Sequence, residues 1–367
     1  MAMSQITGES LPKVQIEGVQ TVVPSKVTDP REMCLVKDPV SSDIFRGCLN
    51  IVLCYSEAGE EGSGGLVAGW IKESLGRAMQ DQPMLSGRLR RVEDGNGELE
   101  MVPNDTGVRL VDAKIEMSLQ EFLGLEEREK AEVELVFWKD IDEQNPIFSP
   151  LLYVQVTDFQ CGGYSIGISS SILLADHIII DNFLSRWSGI QEKLLPNNSI
   201  NGLGKSMFYI PNLRNTSSSP NNAMSTTPGK RSGQTLIFKI AGDGEIEGVK
   251  NESWKSAVSH CIQEAEHKLG GEMPAGFSLL VKESPEVIRI QNCKKNELVK
   301  SNLSFRCQEI TLDDLGVKEL AFRHGNKPAH VSCWIGSAVD GLVMAIPSSN
   351  EKNTSDFNVM VTIPEGN

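Results

Sequence analysis

The alternation of apolar and polar residues along this chain predicts several β-strands. Residues 13–23 and 152–156 alternate between the two kinds of side chain, as strands with one buried face do. Residues 50–55 are continuously apolar apart from one Asn, which is typical of a strand buried inside a sheet, and a further strand is predicted at 234–240. The pattern therefore predicts sheet structure in both halves of the chain.

Apolar residues at helical spacing predict three helices. Residues 66–79 carry a single apolar stripe, and residues 253–269 form a second amphipathic segment. In the third helix, Phe183 and Trp187 lie on one face. Asp176 stands where an N-cap residue is expected, because an Asp side chain accepts hydrogen bonds from the free N–H groups of a first turn. We therefore expect this third helix to begin near Asp176.

The adjacent glycines Gly162 and Gly163 predict a tight turn that joins two strands. The strand at 152–156 leads into this turn, and the apolar and small residues at 164–171 predict a second strand that is buried on both faces. A buried hairpin followed directly by a helix is thus predicted for the centre of the chain.

Composition predicts two domains. The chain has 367 residues, which exceeds the usual size of one domain, and its hydrophobic fraction of 40% is sufficient for two cores. The segment 196–233 is rich in Asn, Ser, Pro and Gly, so we expect a linker there. The predicted N-terminal domain is then 1–195, and the predicted C-terminal domain is 234–367.

Charge and cysteine content exclude several classes of function. The net charge of −14 argues against binding to nucleic acid or to an anionic membrane surface. No run of about 18–20 apolar residues is present, and the first residues do not have the form of a signal peptide. The eight cysteines show no Cys-x-x-Cys pair, so we expect reduced thiols and no metal cluster. These features predict a cytoplasmic monomer without a transmembrane segment.

The central hairpin resembles that of the plant BAHD acyltransferases, in which a Cys-Gly-Gly turn precedes a His-x-x-x-Asp motif and a helix with a Phe and a Trp. Cys161, Gly162 and Gly163 match this turn, and two further segments, 83–89 and 104–108, resemble family landmarks. The resemblance implies a mixed α/β fold of the chloramphenicol-acetyltransferase type. In that fold each of two domains is a mixed sheet flanked by helices, and a channel runs between the domains.

The same resemblance assigns the motif positions. In the family the helical Phe and Trp follow the motif Asp by seven and eleven residues, the intervals at which Phe183 and Trp187 follow Asp176. Asp176 is then the structural Asp, and Ile172 stands at the position of the His that acts as general base. The alternative is His177 with Asp181, which has the correct motif form but requires a slip of five residues and would exchange the two faces of the strand.

Two other family features are missing. Residues 277–284 replace a strand that ends in Asp-Gly-Arg, and the Arg that pairs there with the motif Asp is absent. The Asp-Phe-Gly-Trp-Gly signature expected after Trp334 is also absent. The resemblance implies that Gly162, Gly163 and Asp176 are structural and that the channel is lined by Ser170, Ile172, Ser332 and Trp334.

These departures leave two hypotheses open. The chain most resembles the eceriferum-type branch, understood as partners that let a fatty-acid condensing enzyme make very long chains for cuticular wax. The first hypothesis is such an accessory protein without a cofactor, which joins a condensing enzyme at the endoplasmic reticulum or holds a small-molecule or acyl ligand in the channel. The second is an enzyme with a reused pocket. It would be an acyltransferase with acyl-CoA as co-substrate and His177 as base, or a lyase or cyclase of specialised metabolism.

Overall fold

The computed structural model describes most of the chain, with gaps. The described residues are 12–28, 33–38, 43–56, 64–93, 97–194, 231, 233–242, 254–298, 305–323, 325–337, 340–348 and 356–365. Apart from residues 231 and 233, the predicted linker lies outside the described residues.

Strands dominate the described part of the chain. They are β1 (Val14–Val22), β2 (Cys34–Lys37), β3 (Cys48–Tyr55), β4 (Arg88–Arg91), β5 (Leu99–Val102), β6 (Val108–Ile115), β7 (Leu152–Phe159), β8 (Tyr164–Ser171), β9 (Gly233–Gly242), β10 (Gly276–Ser284), β11 (Val287–Lys294), β12 (Phe305–Ile310), β13 (His330–Gly336), β14 (Leu342–Pro347) and β15 (Phe357–Pro364). The α-helices are α1 (Asp43–Arg46), α2 (Gly64–Ala78), α3 (Leu119–Leu123), α4 (Arg128–Ala131), α5 (Phe183–Leu194) and α6 (Trp254–Leu269).

The strands form two mixed sheets. The first has the order β1-β6-β7-β8-β3-β13, and the second has the order β12-β9-β15-β14-β10-β11-β2-β5-β4. The pairs β6/β7, β10/β14 and β11/β2 are parallel, whereas the other neighbours are antiparallel. The predicted mixed α/β class with two mixed sheets is therefore confirmed.

The two sheets exchange strands between the halves of the chain. Strand β13, from the C-terminal half, pairs with β3 in the first sheet. Strands β2, β4 and β5, from the N-terminal half, extend the second sheet beyond β11. Neither sheet is thus confined to one side of the segment 196–233, and the boundaries 1–195 and 234–367 stay a prediction.

The central core lies between the sheets. Helices α2 and α5 contribute Ile71, Leu75, Phe183 and Trp187 to it. The second sheet contributes residues such as Leu280, whereas the neighbours of Leu280 along the strand point to the other face of the sheet and belong to an outer core. Helix α6 covers the outer face of the second sheet, where it packs against β9, β12 and β15. Helices α3 and α4 and the 3-10 helix Glu132–Leu135 cover the other face of the first sheet.

The hairpin between β7 and β8 requires both of its glycines. Gly162 has a φ of +81°, in the left-handed region that glycine tolerates best. At Gly163 a Cβ atom would lie 2.9 Å from the carbonyl oxygen of Tyr55, closer than real Cβ atoms approach. The turn therefore fixes the start of β8 beside the end of β3, and with it the register of the whole strand.

The chain between β8 and α5 differs from the helix predicted there. A 3-10 helix spans Ile172–Leu174, a π-helical turn spans Asp176–Ile180, and α5 begins only at Phe183. Between the last two, Asn182 has a φ of +55°, which ends the π-helical turn. The prediction that Asp176 caps this helix is wrong, because Asp176 is the first residue of the separate π-helical turn and α5 begins only at Phe183.

Candidate functional site between the two sheets

Ile172 lies at the boundary between the two sheets. Its backbone N–H donates to the carbonyl oxygen of Gly47 over 3.2 Å, and its side chain is only 4% exposed. The side chain lines a narrow cavity of about 20 Å³, together with Ile44, Gly47, Ser278, Leu280, Ile290, Ser337, Asp340, Gly341 and Leu342. A cavity of this size has room for about one water molecule. The residue predicted to stand at the position of the family's base is therefore an apolar, buried side chain beside a small cavity.

Asp176 forms an ion pair that joins the two sheets. Lys282, on β10, donates from Nζ to Oδ2 of Asp176, and the two side chains are only 11% and 8% exposed. Lys282 lies two residues after Leu280 on the same strand and so shares its face, which points from the second sheet toward the first. Sequence analysis missed Lys282, although it lies in the strand that replaces the family's Asp-Gly-Arg strand. A lysine therefore pairs with Asp176, the residue predicted to be the motif Asp.

His177 is held among three oxygen atoms. Its Nδ1 lies 2.9 Å from Oε1 of Gln82 and 3.1 Å from Oδ2 of Asp181, and its Nε2 lies 3.8 Å from Oδ2 of Asp176. The side chain is 17% exposed. The cavity beside Ile172, as lined by the described residues, has no contribution from His177. The structure thus separates the histidine from the position of the family's base.

Electrostatics keep Asp181 ionised. Burial acts to raise the pKa of Asp181, but the hydrogen bond with His177 and the charges of His177, Lys282 and Arg186 outweigh it, so the pKa is lowered. Asp181 is therefore a carboxylate at neutral pH and can orient the imidazole ring of His177.

Asp176, His177 and Asp181 are also close enough to hold a metal ion. Their ligand atoms all lie within 4.8 Å of one another. The ammonium group of Lys282 already contacts Asp176, however, and would repel a cation bound there. A metal would have to displace this ion pair, so the donor set fits a metal poorly.

The four residues predicted to line the channel do not share one face of the first sheet. Ser170 pairs with Leu49, on the face toward the central core, and Ile172 contributes to the same core. Ser332 and Trp334 pair with Val52 and Asn50, on the opposite face. Ser332 and Trp334 therefore lie on the other face of the first sheet from Ser170, because residues whose positions differ by an odd number along paired strands point to opposite faces. The lining of a channel by these four residues stays a prediction.

A second charged network lies on that opposite face, which the sequence analysis did not detect. Glu132 is 1% exposed, and its Oε1 lies 2.7 Å from Nε2 of His330 and 3.2 Å from Nε of Arg128. Arg231 lies 4.0 Å from the other carboxylate oxygen and places its guanidinium 5.5 Å from the ring centre of Trp334. Burial acts to raise the pKa of Glu132, but hydrogen bonds from His330 and Ser332 lower it overall.

Comparison with known proteins identifies the family. A family model described as the Transferase family matches residues 12–239, which is more than half of the chain. The chain therefore belongs to this family, the BAHD acyltransferase family, and the predicted family is confirmed.

Individual relatives are distant. Protein ECERIFERUM 26-like of Arabidopsis thaliana is 24% identical over 263 residues, which cover 67% of this chain and 60% of that protein. Hydroxycinnamoyltransferase of Narcissus pseudonarcissus is 35% identical over 127 residues, or 34% of this chain and 28% of that protein. The matches thus span less than two thirds of either relative.

Among solved structures, vinorine synthase is 14% identical, with a TM-score of 0.42, and the match covers 96% of this chain and 95% of that one. Within the described part of the chain, no helix is both long enough and apolar enough to cross a membrane.

Proposed function

We propose that this protein is a BAHD family member that does not transfer acyl groups and that assists very-long-chain fatty acid elongation for wax synthesis. In this proposal it acts as an accessory partner of a fatty-acid condensing enzyme at the endoplasmic reticulum. The observation that carries the proposal is the buried Ile172, with its cavity of about 20 Å³. The similarity to ECERIFERUM 26-like supports the link to wax.

The chemistry at Ile172 explains why acyl transfer is not proposed. A positioned general base contributes roughly 10²–10⁴-fold to the rate, and an isoleucine side chain can accept no proton. The cavity also has space for about one water molecule, which is much smaller than any acyl acceptor. Both the base and the space for a substrate are therefore lacking at this position.

The second candidate is an acyltransferase with acyl-CoA as co-substrate and His177 as base. The contact of 3.1 Å between His177 and Asp181 favours it, since a base held by a carboxylate is a common catalytic pair. The remaining nitrogen, Nε2, faces Asp176 at 3.8 Å and lies outside the cavity beside Ile172. This orientation makes it the weaker candidate.

Two measurements on the same variants distinguish the candidates. The purified protein is incubated with a panel of acyl-CoA esters and acceptors, and in parallel it is co-expressed with a condensing enzyme while fatty-acid chain lengths are profiled. We expect no acyl transfer and a shift to longer chains, both for the wild type and for His177→Ala. His267→Ala, which removes an exposed histidine on α6, is the matched control. Acyl transfer that falls at least about a hundredfold in folded His177→Ala would instead support the second candidate.

A further inference from the structure

Two cysteines far apart in sequence meet between helix α6 and strand β12. The sulfur atoms of Cys261 and Cys307 are 3.9 Å apart, close to contact distance for two thiols. All eight cysteines of the chain are free thiols in the structure. No feature of the proposed function uses this pair.

The two thiols differ in their exposure to solvent, and this difference favours oxidation. Cys261 is buried in the outer core, on the face of α6 that packs against the second sheet. Cys307 is half-buried on β12, which pairs with β9 and is the last strand of that sheet among the described residues. A small oxidant can therefore reach Cys307 from solvent, and Cys261 lies directly behind it.

We infer that Cys261 and Cys307 form a site of reversible thiol oxidation, at which a disulfide ties helix α6 to the outermost strand of the second sheet. A disulfide bond requires the sulfurs to approach to about 2.05 Å. The movement needed from 3.9 Å is small and falls on the strand that ends the sheet in the part of the chain that the structure describes. The inference is independent of the proposed function.

The local electrostatics indicate which thiol reacts first. The hydrogen bond from Cys261 lowers the pKa of Cys307, and Lys268 acts in the same direction, whereas burial and Glu264 oppose them. The pKa of Cys261 is raised, mainly by the same hydrogen bond and by burial. Since the thiolate is the nucleophile in disulfide exchange, Cys307 is the attacking residue.

The exchange needs a low-molecular-weight disulfide such as glutathione disulfide as the oxidant. The Cys307 thiolate attacks one sulfur of this disulfide, forms a mixed disulfide and releases one small thiolate. Cys261 then loses its proton to solvent, and its sulfur attacks Cys307, which releases the second small thiolate. One small disulfide is reduced to two thiols, and the two protein thiols are oxidised to one disulfide.

The resulting bond would close a loop that contains strands β10 and β11. The residues joined are 46 positions apart in sequence, so the bond would restrict the unfolded chain considerably. Strand β10 carries Lys282, the partner of Asp176, so the oxidised form would hold in place the strand that supplies this ion pair.

The test equilibrates the whole protein with mixtures of oxidised and reduced glutathione, followed by alkylation of free thiols, proteolysis and mass spectrometry. We expect a peptide pair linked through Cys261 and Cys307, and an oxidised protein whose melting temperature is about 5 °C above that of the reduced protein. The linked pair should also form in Cys161→Ser and Cys293→Ser, which remove an exposed and a half-buried thiol elsewhere.

The two variants of the pair itself make the test decisive. Cys307→Ser should abolish both the linked peptide and the melting shift, while Cys261→Ala should retain glutathione on Cys307. Alkylation of both cysteines in the folded wild type at oxidising potential would overturn the inference. A glutathione adduct that persists on Cys307 of the wild type would overturn it as well, because Cys261 would then have failed to close the bond.

Discussion

Two histidine–carboxylate contacts lie in different regions of this protein, and their comparison bears on what the histidine of the candidate site does. Between the sheets, His177 lies 3.1 Å from Asp181. On the far face of the first sheet, His330 lies 2.7 Å from Glu132, and neither residue lines the cavity beside Ile172, as the described residues define it. The shorter contact is thus the one with no catalytic role to explain it, so a histidine beside a carboxylate is not evidence of catalysis in this fold.

The two networks differ in how their buried carboxylate is neutralised. Asp176 contacts Lys282, which is itself nearly buried, and His177 lies farther away, at 3.8 Å. Glu132 is surrounded by His330, Arg128 and Arg231, whose side chains are 19%, 38% and 21% exposed. Charge is therefore concentrated in one contact between the sheets but shared among partly solvated groups on the far face. The consequences of removing one partner should differ accordingly.

The largest effect is expected from Lys282→Met. This change leaves the buried Asp176 without its cation, and breaking a buried pair in this way costs roughly 3–5 kcal/mol. Urea unfolding should show a loss of this size, whereas Lys282→Arg should retain most of the stability. The matched control is Lys318→Met, whose pair with Asp313 is 58% and 53% exposed and should contribute less than about 1 kcal/mol. Equal losses for Lys282→Met and the control would show that the ion pair does not hold the sheets together.

Glu132→Gln should have an intermediate effect. Gln keeps the size of the side chain but removes the charge that faces His330 and the two arginines, and hydrogen bonds to charged groups contribute about 1.5–3 kcal/mol. Because the pKa of Glu132 is lowered in the folded protein, its contribution is present above the ordinary glutamate value of 4.5 and is lost as the pH falls below it. Unfolding curves of wild type and variant should therefore converge in acid. A difference that stays constant with pH would mean that the charge contributes nothing.

Much of the fold could be predicted from local sequence. The Gly162-Gly163 turn and the alternation in β7 indicated the hairpin. The spacing of Phe183 and Trp187 predicted Asp176 rather than Asp181 as the motif Asp, and this stays a prediction; the structure adds that Asp176 pairs with Lys282, although 106 residues separate the two. The same Asp was wrongly interpreted as a helix cap, because local patterns do not reveal that a side chain is already committed to a distant partner.

Features that depend on pairing between distant segments were missed. Strand β13 inserts beside β3, which places Ser332 and Trp334 on the face opposite to that of Ser170. No local periodicity specifies which strand lies next to which, and a change of one residue in register exchanges the faces. Lys282 and Glu132 were missed for the same reason, since each acquires its role only through residues from the other half of the chain.

Asp158→Asn is expected to act in the opposite direction, because Asp158 forms no ion pair with any residue in the described part of the chain. Burial, together with Asp112 and Glu17, raises the pKa of Asp158 to about 7. The folded state therefore binds this proton more tightly than the unfolded chain, and the resulting stability is lost as the pH rises from about 4 to about 7. Asparagine avoids the buried charge, so the variant should gain about 1 kcal/mol near neutral pH relative to wild type. Chemical denaturation at about pH 5 and about pH 8 measures this gain.

The gain for Asp158→Asn should be larger at the higher pH, since only there is the wild-type carboxylate fully ionised. Its control is Glu17→Gln, which removes a neighbouring acidic group but leaves Asp158 itself. This control should show a smaller effect of the same sign. A variant less stable than wild type at the higher pH would indicate that Asp158 has a favourable partner and belongs with Asp176 and Glu132 in the comparison.

The smallest effect is expected from Asp181→Asn, and it bears most directly on the candidate site. Asp181 is 31% exposed, and asparagine keeps the shape of its side chain. The loss of unfolding free energy should therefore be below about 1 kcal/mol, as for other partly exposed pairs. The lowered pKa of Asp181 means that this small contribution is present above the ordinary aspartate value of 3.8 and disappears as the pH falls below it.

If His177 were a base oriented by Asp181, the same change would also reduce an acyl-transfer rate by orders of magnitude while the fold stayed intact. We expect no such reduction, and an unchanged fatty-acid profile on co-expression, because the imidazole has Gln82 as a second partner and does not line the cavity beside Ile172, as the described residues define it. The stability and the chain-length profile of this one variant therefore distinguish a histidine with a purely structural role in the turn from a catalytic histidine.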